Sequence, residues 1–364
     1  MVKFLYLDDE GDPQKIDGFT INQKLGFETE QHCDNWEQQI DHLKLKADDF
    51  DGLLLDLKLD DTPNANQKRA SFRGTALAQE IRTLQKEKSV KHFPIALFSA
   101  NDKVSLDNTG KDLFDLCIEK DAVNVESFPI YANELFALAE GYKFLSKNAQ
   151  INAYLGVETD ELDSSFVQEL KTREGEPLHI LSKFIVDELL MKQGLLIDES
   201  VLAARLGIDK RSQDWSSLLE MLKPKASYQG VFHEGWPRWW MHRIQEWWES
   251  FAPENVYLRS TSASERVRII KEITGFSNLL PAERIDKSRS EEYWTICKGH
   301  NRPLDPLDGL LIIGQDNLYS WQESEYVSVD AALRRINKGQ WKDIAEIEHD
   351  HFDALKKVYS KKSR

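Results

Sequence analysis

Short apolar segments alternate with amphipathic segments along the first third of the chain. Five of the apolar segments have the length and composition of β-strands: Lys3–Leu7, a weaker one at Phe27–Glu30, Gly52–Leu57, Pro94–Ser99 and Leu113–Ile118. The third contains three consecutive leucines, which is typical of a strand covered on both faces. Apolar residues at helical spacing form three further groups: Trp36, Ile40 and Leu43; Leu77, Ile81 and Leu84; and Leu135, Leu138, Tyr142 and Leu145.

The order of these segments predicts an α/β fold. Strands that alternate with helices favour a parallel sheet wrapped by helices. Five strands and five helices fit a doubly wound, five-stranded parallel sheet of the flavodoxin-like type. The first helix, near Asp12–Leu25, is only weakly indicated because Gly11, Pro13 and Gly18 interrupt it. Folds of this class place their active sites outside the carboxyl ends of the strands, so the residues that follow each strand are the candidates for chemistry.

The pattern changes after residue 145. A polar stretch, Ser146–Asn152, predicts a boundary between a first domain at residues 1–147 and a second domain at residues 153–364. The second domain is expected to be mainly α-helical. Its helix candidates are Leu178–Leu189, a segment that contains Leu202 and Leu206 after a cap at Asp198, Trp236–Phe251, Arg266–Ile273 and Trp341–Val358. One run, Gly309–Ile313, is typical of a strand.

Composition and charge restrict the classes of function. The chain has 364 residues, of which 41% are hydrophobic, so it is long enough for two or three domains with real cores. A net charge of −15, negative in both parts of the chain, disfavours nucleic-acid binding. No apolar stretch approaches the roughly 20 residues that span a bilayer, so we expect no membrane partner. Three cysteines at unrelated spacings indicate free thiols, and we expect a cytoplasmic protein.

Acidic, hydroxyl and basic side chains follow the predicted strands. Asp8 and Asp9 end the first strand, Asp56 lies near the end of the third, Ser99 ends the fourth and Lys120 follows the fifth. Clustered carboxylates repel one another and favour a divalent cation, and hard oxygen ligands favour Mg²⁺. A cation leaves one carboxylate free to attack phosphorus, while a lysine and a hydroxyl can bind the phosphoryl oxygens. The sequence therefore predicts a phosphoryl-transfer site.

This set of residues resembles the receiver family of two-component response regulators over about 40% of the chain. The resemblance rests on an acid pair, an apolar strand that ends in Asp, another that ends in Ser-Ala, and a later Lys. The resemblance implies that Asp56 is the phosphoacceptor. It also implies that Mg²⁺ is bound directly by Asp9, through water by Asp8, and by the backbone carbonyl of Lys58. Ser99 would be the switch hydroxyl, and Lys120 would bind the phosphoryl group.

The resemblance also implies partners. A histidine kinase or another phosphodonor protein would phosphorylate Asp56, and an output protein of unknown identity would respond. Alternatively, the protein would act as a phosphate sink. Receivers of this family often form homodimers. Three features depart from the family pattern: Asp121 replaces the usual proline, Cys117 replaces the aromatic switch residue, and Asp60–Phe72 is longer and more polar than usual.

Other functions remain open at this stage. A haloacid-dehalogenase-like phosphatase also uses a strand-end aspartate, but it would leave Asp56 without a role. Residues 195–222 are similar to a helix-turn-helix, which would make the protein a DNA-binding transcriptional regulator. However, Gln213–Leu222 contains no basic residue. A third possibility is a receiver-gated enzyme with its active site in residues 150–364, near Asp305, Asp308 and His300.

Two further patterns in the second part carry hypotheses. The segment Gly235–Phe251 holds five of the ten tryptophans and predicts either an aromatic core or a docking surface for a partner. Cys297 and His300 have the spacing of half a zinc site, which His349 and His351 would have to complete.

Overall fold

Five parallel strands form the central sheet of the first part of the chain in this computed structural model, which describes residues 1–20, 23–100, 110 and 112–362. Their spatial order is β2-β1-β3-β4-β5. The strands are β1 (Val2–Leu7), β2 (Leu25–Glu30), β3 (Gly52–Leu55), β4 (Ile95–Ser99) and β5 (Leu116–Glu119). The predicted α/β class and doubly wound parallel sheet are therefore confirmed, and the observed strand ends differ from the predicted ones by a few residues.

The two faces of this sheet are both buried. Leu53 and Leu55 of β3 are fully buried in a core with Leu5 and Leu7, whereas Leu54 is fully buried in a second core with Phe4 and Tyr6. Successive side chains of a strand point to opposite faces, so three consecutive leucines serve both cores. This arrangement explains why the strand lacks the alternation of a half-exposed strand.

Helices cover the sheet. They are α1 (Trp36–Lys46), α2 (Gly74–Lys86) and α3 (Phe128–Leu145), together with a 3₁₀ helix at Pro13–Thr20. The weakly indicated first helix is thus a shorter 3₁₀ helix, which agrees with the one proline and the two glycines that interrupt its sequence. Asn35 caps α1 because its side chain accepts a hydrogen bond from the backbone N–H of Gln38. The helix expected between the fourth and fifth strands lies outside the described residues.

The chain divides into two compact units that are not continuous in sequence. The first unit comprises Met1–Val186 and Gln229–Trp236, and the second comprises Asp187–Tyr228 and Pro237–Arg364. After the sheet, the described part of the first unit continues with the short α-helices α4 (Ile151–Leu155), α5 (Ser164–Thr172) and α6 (Leu178–Phe184). The domain boundary at residues 147–153 remains a prediction, because compactness does not establish which segments fold together.

The second unit is rich in helices, as predicted. Its α-helices are α7 (Glu199–Leu206), α8 (Trp215–Ala226), α9 (Met241–Glu249), α10 (Ala263–Thr274), α11 (Val329–Arg334), α12 (Lys338–Trp341) and α13 (His349–Lys362). Two small sheets accompany them: β6 (Leu196–Ile197) with β7 (Trp239–Trp240), and a four-stranded sheet of β8 (Thr295–Cys297), β9 (Arg302–Leu304), β10 (Gly309–Leu311) and β11 (Tyr326–Ser328). The sequence indicated only β10. No helix in the described part of the chain is long and apolar enough to cross a bilayer.

Two predicted helices of this unit begin elsewhere. Trp239 and Trp240 pair with β6 as a strand, so helix α9 starts at Met241 and not at Trp236. The predicted helix Trp341–Val358 was wrong in its first part, because α12 ends at Trp341 and α13 starts at His349. Between the two helices Lys342 adopts a positive φ of 51°, which a continuous α-helix does not allow.

Candidate functional site

The register of the sheet places the candidate residues at one edge. Leu7 lies opposite Leu55, so Asp8 and Asp56 are the next residues on two adjacent strands. Ser99, the last residue of β4, lies opposite Glu119, and Lys120 follows. Because all five strands run in the same direction, these strand ends meet in one crevice.

Three carboxylates and one ammonium group meet in this crevice. Asp8, Asp9 and Asp56 each offer an oxygen within 4.8 Å of the others, and all three residues are buried. Lys120 Nζ lies 2.7 Å from Asp8 Oδ2 and 3.3 Å from Asp56 Oδ1. Tyr6 donates its hydroxyl hydrogen to Asp8 Oδ2, and the backbone N–H of Glu10 donates to Asp8 Oδ1 at 2.8 Å. Asp8 is therefore held by three donors.

The three carboxyl groups differ in their pKa. Burial raises the pKa of Asp56, and the neighbouring Asp8 raises it further, although Lys120 opposes both effects. Burial also raises the pKa of Asp9, as do Asp8 and Asp56, whereas hydrogen bonds from Thr62 oppose the shift. Burial alone would raise the pKa of Asp8, but hydrogen bonds from Lys120 and Tyr6 lower it to about 2. The site therefore carries an excess of negative charge that one lysine does not balance.

Two buried polar atoms in the crevice have no hydrogen-bond partner among the described residues. They are Asp56 Oδ1, whose 3.3 Å contact with Lys120 Nζ is an ion pair without hydrogen-bond geometry, and Ser99 Oγ. Ser99 is fully buried and Asp56 is 3% exposed, so bulk water does not compensate these atoms freely. An unsatisfied carboxylate oxygen beside two other carboxylates is the chemistry that a hard divalent cation satisfies. The residues present thus fit Mg²⁺, with Asp8, Asp9 and Asp56 as its candidate ligands.

The sixth predicted site residue, Lys58, lies two positions after Asp56. Its ammonium group lies 3.7 Å from Asp61 Oδ2 and is directed toward the loop that follows. The proposed use of its backbone carbonyl as a metal ligand remains a prediction.

The departures from the family pattern have structural counterparts. The described residues contain no cis peptide bond, so the bond between Lys120 and Asp121 is trans. Cys117 lies on the edge strand β5 and is exposed. The long segment Asp60–Phe72 folds back over the acids, and the backbone N–H of Thr62 donates to Asp9 Oδ2 at 2.5 Å. The sequence does not reveal this contact, because a backbone donor leaves no trace in it. The sequence also does not single out the Tyr6 hydroxyl, because Tyr6 lies inside the apolar first strand.

Glycine is required at the start of α2. A Cβ atom at Gly74 would lie 2.2 Å from the backbone oxygen of Asp56. The N–H of Gly74 donates to the carbonyl of Leu57 at 2.9 Å, so the helix start and the predicted phosphoacceptor are in direct contact. The sequence signal for this position was a glycine at the beginning of an amphipathic helix.

The other candidate sites have less support from the geometry. Helices α7 and α8 are joined by residues 207–214, whereas the helix-turn-helix motif uses a turn of about three to four residues. Among the described residues, Asp8, Asp9 and Asp56 form the cluster suited to a metal, and no cluster includes Cys297. Asp305 accepts the N–H of Leu307, and Asp308 accepts the N–H groups of two residues, Arg289 and Ser290. Asp305 therefore caps the turn that follows it, and Asp308 binds the backbone of a segment distant in sequence.

Most of the tryptophan-rich segment is buried. Trp240 and Trp248 are fully buried, and Trp236 and Trp239 are less than a tenth exposed. The aromatic side chains thus serve the cores of the two units. A docking surface on this segment remains a hypothesis, and such a surface would have to be formed by its polar residues.

Comparisons with known proteins gave likenesses of structure alone. No protein-family model matches the chain, and no curated protein matches its sequence. Among the solved structures that resemble part of it is the N-terminal domain of a response regulator/sensory box/GGDEF 3-domain protein from Carboxydothermus hydrogenoformans, at 12% identity over 41% of this chain and 99% of that chain, with a TM-score of 0.27. Another is NtrX from Brucella abortus in complex with ADP, at 18% identity over 48% of this chain and 35% of that chain, with a TM-score of 0.29. A third is a response regulator protein from Burkholderia pseudomallei with a phosphorylated aspartic acid, calcium ion and citrate, at 15% identity over 41% of this chain and 76% of that chain, with a TM-score of 0.24.

The TM-scores of these likenesses are too low to carry an argument. The fold itself is the stronger observation, since its all-parallel order β2-β1-β3-β4-β5 with helices against both faces is that of the flavodoxin-like fold. The fold that the resemblance to receivers implies for the first 145 residues is thereby confirmed.

Proposed function

We propose that this protein is a two-component response regulator that accepts a phosphoryl group on Asp56 in the presence of Mg²⁺. The observation that supports the proposal is the crevice itself: three buried carboxylates lie within 4.8 Å of one another, and Lys120 bridges two of them. A structural role alone gives no reason to bury three like charges beside one cation, because such a cluster costs stability.

Each side chain then has a task. A carboxylate oxygen of Asp56 attacks the phosphorus of a phosphohistidine on a partner protein; the new P–O bond forms as the P–N bond breaks, and the leaving imidazole takes up one proton. Lys120 and the hydroxyl of Ser99 bind the phosphoryl oxygens. When bound, Mg²⁺ would supply positive charge against the negative charge of the transferred group. Asp9 and Asp56 would hold it, with Asp8 beside them and the backbone carbonyl of Lys58 as a further ligand.

The phosphatase alternative fits the site less well. It leaves Asp56 without a role, yet the carboxylate of Asp56 lies among Asp8, Asp9 and Lys120. A receiver uses all four residues.

The output acts through protein partners, or the protein serves as a phosphate sink. DNA binding has less support, because α8 begins at Trp215 after a long connection and carries its two lysines, Lys223 and Lys225, only in its last turn. For a receiver-gated enzyme, Asp305 and Asp308 would have to give up their backbone hydrogen bonds. Residues 1–147 as a receiver and residues 153–364 as the output part remain our working division.

Beryllofluoride with Mg²⁺, a mimic of the phosphoryl group, tests the proposal directly. Mass spectrometry of hydrogen exchange is compared for the full-length chain and Asp56→Asn, each with and without the mimic. We expect wild type alone to gain protection near Ser99. Equal exchange in all four samples would reject phosphorylation at Asp56, and a response of both proteins would move the acceptor to another residue. Protection in residues 153–364 would locate the output surface.

A further inference from the structure

The loop between β3 and α2, residues 56–73, is anchored at both of its ends. Leu59 is fully buried, and Ala70 and Phe72 are less than a tenth exposed, all in the core beneath α1 and α2. The ring of Phe72 packs edge-on against Trp36 with 5.5 Å between the ring centres. The middle of the loop, residues 60–69, is mostly exposed and has no apolar anchor of its own. Something other than hydrophobic burial must fix its conformation.

Asn64 is the buried polar residue in the middle of this loop, with an exposed fraction of 6%. Its Oδ1 accepts the backbone N–H groups of Asn66 at 2.9 Å and Lys68 at 3.2 Å, which closes the loop on itself. Its Nδ2 donates to Asp34 and, at 3.4 Å, to the carbonyl of His32. One side chain thus ties the loop after Asp56 to the loop after β2.

His32 makes the second tie between these two loops. The imidazole is 3% exposed, and its Nε2 lies 3.3 Å from the carbonyl oxygen of Thr62. The N–H of the same Thr62 donates to Asp9 Oδ2 at 2.5 Å. Thr62 is thus held between His32, which contacts its carbonyl oxygen, and Asp9, which accepts its N–H. The orientation of Asp9 therefore depends on residues that do not reach the acids themselves.

We propose that Asn64 and His32 are positioning residues that set the cation affinity of the acid crevice through Thr62. The Thr62 N–H occupies one lone pair of Asp9 Oδ2 and fixes the direction of the carboxylate, while Asp9 keeps an oxygen within 4.8 Å of oxygens of Asp8 and Asp56. Residues that orient a metal ligand in this way typically change metal affinity by about 10- to 100-fold when they are removed. The inference rests on the proposed function, because it names the support for that same site.

Mg²⁺ titration of the full-length chain by calorimetry tests the inference. Wild type is compared with Asn64→Ala, with His32→Gln, and with the matched control Asn66→Ala, which removes an exposed asparagine two positions away. We expect one Mg²⁺ per chain in every case. The dissociation constant should rise about tenfold or more in Asn64→Ala, rise in the same direction in His32→Gln, and stay within twofold of wild type in Asn66→Ala.

A second readout separates positioning from general damage. The rate of phosphorylation by acetyl phosphate is measured as a function of Mg²⁺ concentration. A positioning role shifts the Mg²⁺ concentration at half-maximal rate and leaves the rate at saturating Mg²⁺ within about threefold of wild type. A loss of the saturating rate without that shift overturns the inference, because damage to the fold would cause it. If Asn64→Ala does not fold, His32→Gln alone decides by the same criterion.

The failures of the two proposals are distinguishable. If wild type binds no Mg²⁺ and accepts no phosphoryl group, the proposed function fails. If wild type binds Mg²⁺ and both loop variants bind it equally well, the function stands and the inference about Asn64 and His32 is wrong.

Discussion

Burial, together with electrostatic repulsion between neighbouring acids, governs the charges in the crevice at the strand ends. Burial and neighbouring acids raise the pKa of both Asp56 and Asp9, whereas Lys120 and Tyr6 hold the pKa of Asp8 near 2. Raised values mean that the ionised forms are less stable in the folded chain than in water. The acids thus cost folding stability, and a bound cation would recover part of that cost.

Replacing Asp56 by asparagine should therefore stabilise the protein without divalent cations. The folded pKa of Asp56 lies above its unfolded value, so the folded state binds more protons in the pH interval between them, and stability falls as pH rises through that interval. Above both pKa values the full cost is present. We expect Asp56→Asn to raise the free energy of unfolding by on the order of 1 kcal/mol at pH 7 in a chelator, measured by urea titration.

The advantage of Asp56→Asn should disappear under two conditions. Added Mg²⁺ should stabilise wild type more than the variant, and pH 3 to 4 should reduce the difference because wild-type Asp56 is then protonated. The exposed Asp49→Asn serves as the control and should stay within about 0.5 kcal/mol of wild type. A variant that is less stable than wild type in chelator at pH 7 would contradict this account.

A methyl group at Gly74 should disturb Asp56 through the backbone. The added Cβ would lie 2.2 Å from the Asp56 carbonyl oxygen, which no real contact allows, so the strand end or the start of α2 must move. We expect Gly74→Ala to cost about 1–3 kcal/mol of stability by urea titration and to weaken beryllofluoride binding. Gly339→Ala is the control, because a Cβ there has no neighbour within 4 Å. Unchanged mimic binding in Gly74→Ala would show that the crevice tolerates the shift.

The sequence identified residues that directly follow strands and missed those that reach the site through loops. Asp8, Asp56, Ser99 and Lys120 each come at or after the end of an apolar run, so parallel topology alone brings them together. Thr62 reaches Asp9 through its backbone N–H and through its side chain, but it follows no strand, so nothing in the sequence marks it as part of the site. Its place depends on the conformation of a polar loop, which periodicity does not encode.

A buried polar network joins several elements at the opposite, amino-terminal edge of the sheet. Arg82 of α2 donates to Asp115 Oδ2 at 2.6 Å, and Tyr142 of α3 donates to Asp115 Oδ1 at 2.5 Å. The backbone N–H of Ile95, the first residue of β4, also donates to Asp115 Oδ2 at 2.8 Å. The carboxylate of Asp115, the residue that precedes β5, therefore connects two helices and a neighbouring strand.

Removal of Arg82 should weaken this connection strongly. Its side chain is 4% exposed and that of Asp115 is 2% exposed, so Arg82→Met would leave a buried carboxylate without its cation. We expect a loss of about 3–5 kcal/mol, measured from hydrogen exchange of the β3 amides under native conditions. Arg73→Met, which removes a 64% exposed arginine near the start of the same helix, should cost less than about 1 kcal/mol. Similar losses in both variants would contradict a special role for Asp115.

Element boundaries were predicted well where periodicity and caps agreed. Asp198 was expected to cap a helix, and its side chain does accept the N–H of Val201 at the start of α7. The aromatic run from Trp236 failed as one helix because Trp239 and Trp240 pair with β6 across a long sequence separation. Apolar residues at helical spacing are also compatible with a short strand, and only the tertiary partner determines whether the segment forms a helix or a strand.

At the scale of the whole chain, the compact units do not follow the polar stretch that suggested a boundary. Residues 151–186 and 229–236 belong to the unit that contains the parallel sheet. Tyr154 and Leu155 of α4 are buried, and the carbonyl of Tyr154 accepts the N–H of Val231 at 2.7 Å. Phe232 packs on α3 so closely that a Cβ at Gly141 would lie 2.1 Å from its ring. A contact between segments so distant in sequence leaves no local pattern to read.

Native-state hydrogen exchange of the full-length chain should show how far the unit of the sheet extends. If α4 and residues 229–236 fold with the sheet, the amides of Tyr154 and Val231 should exchange with the same opening free energy and the same urea dependence as those of Leu53–Leu55. The amide of Leu202, in the other unit, serves as the independent reference. The hydrogen bond between Tyr154 and Val231 and the close packing of Phe232 on α3 are the physical reason for a common opening. Opening free energies for Tyr154 and Val231 that are smaller than those of Leu53–Leu55 would instead favour a domain that ends near residue 147. The later segments would then unfold independently of the sheet.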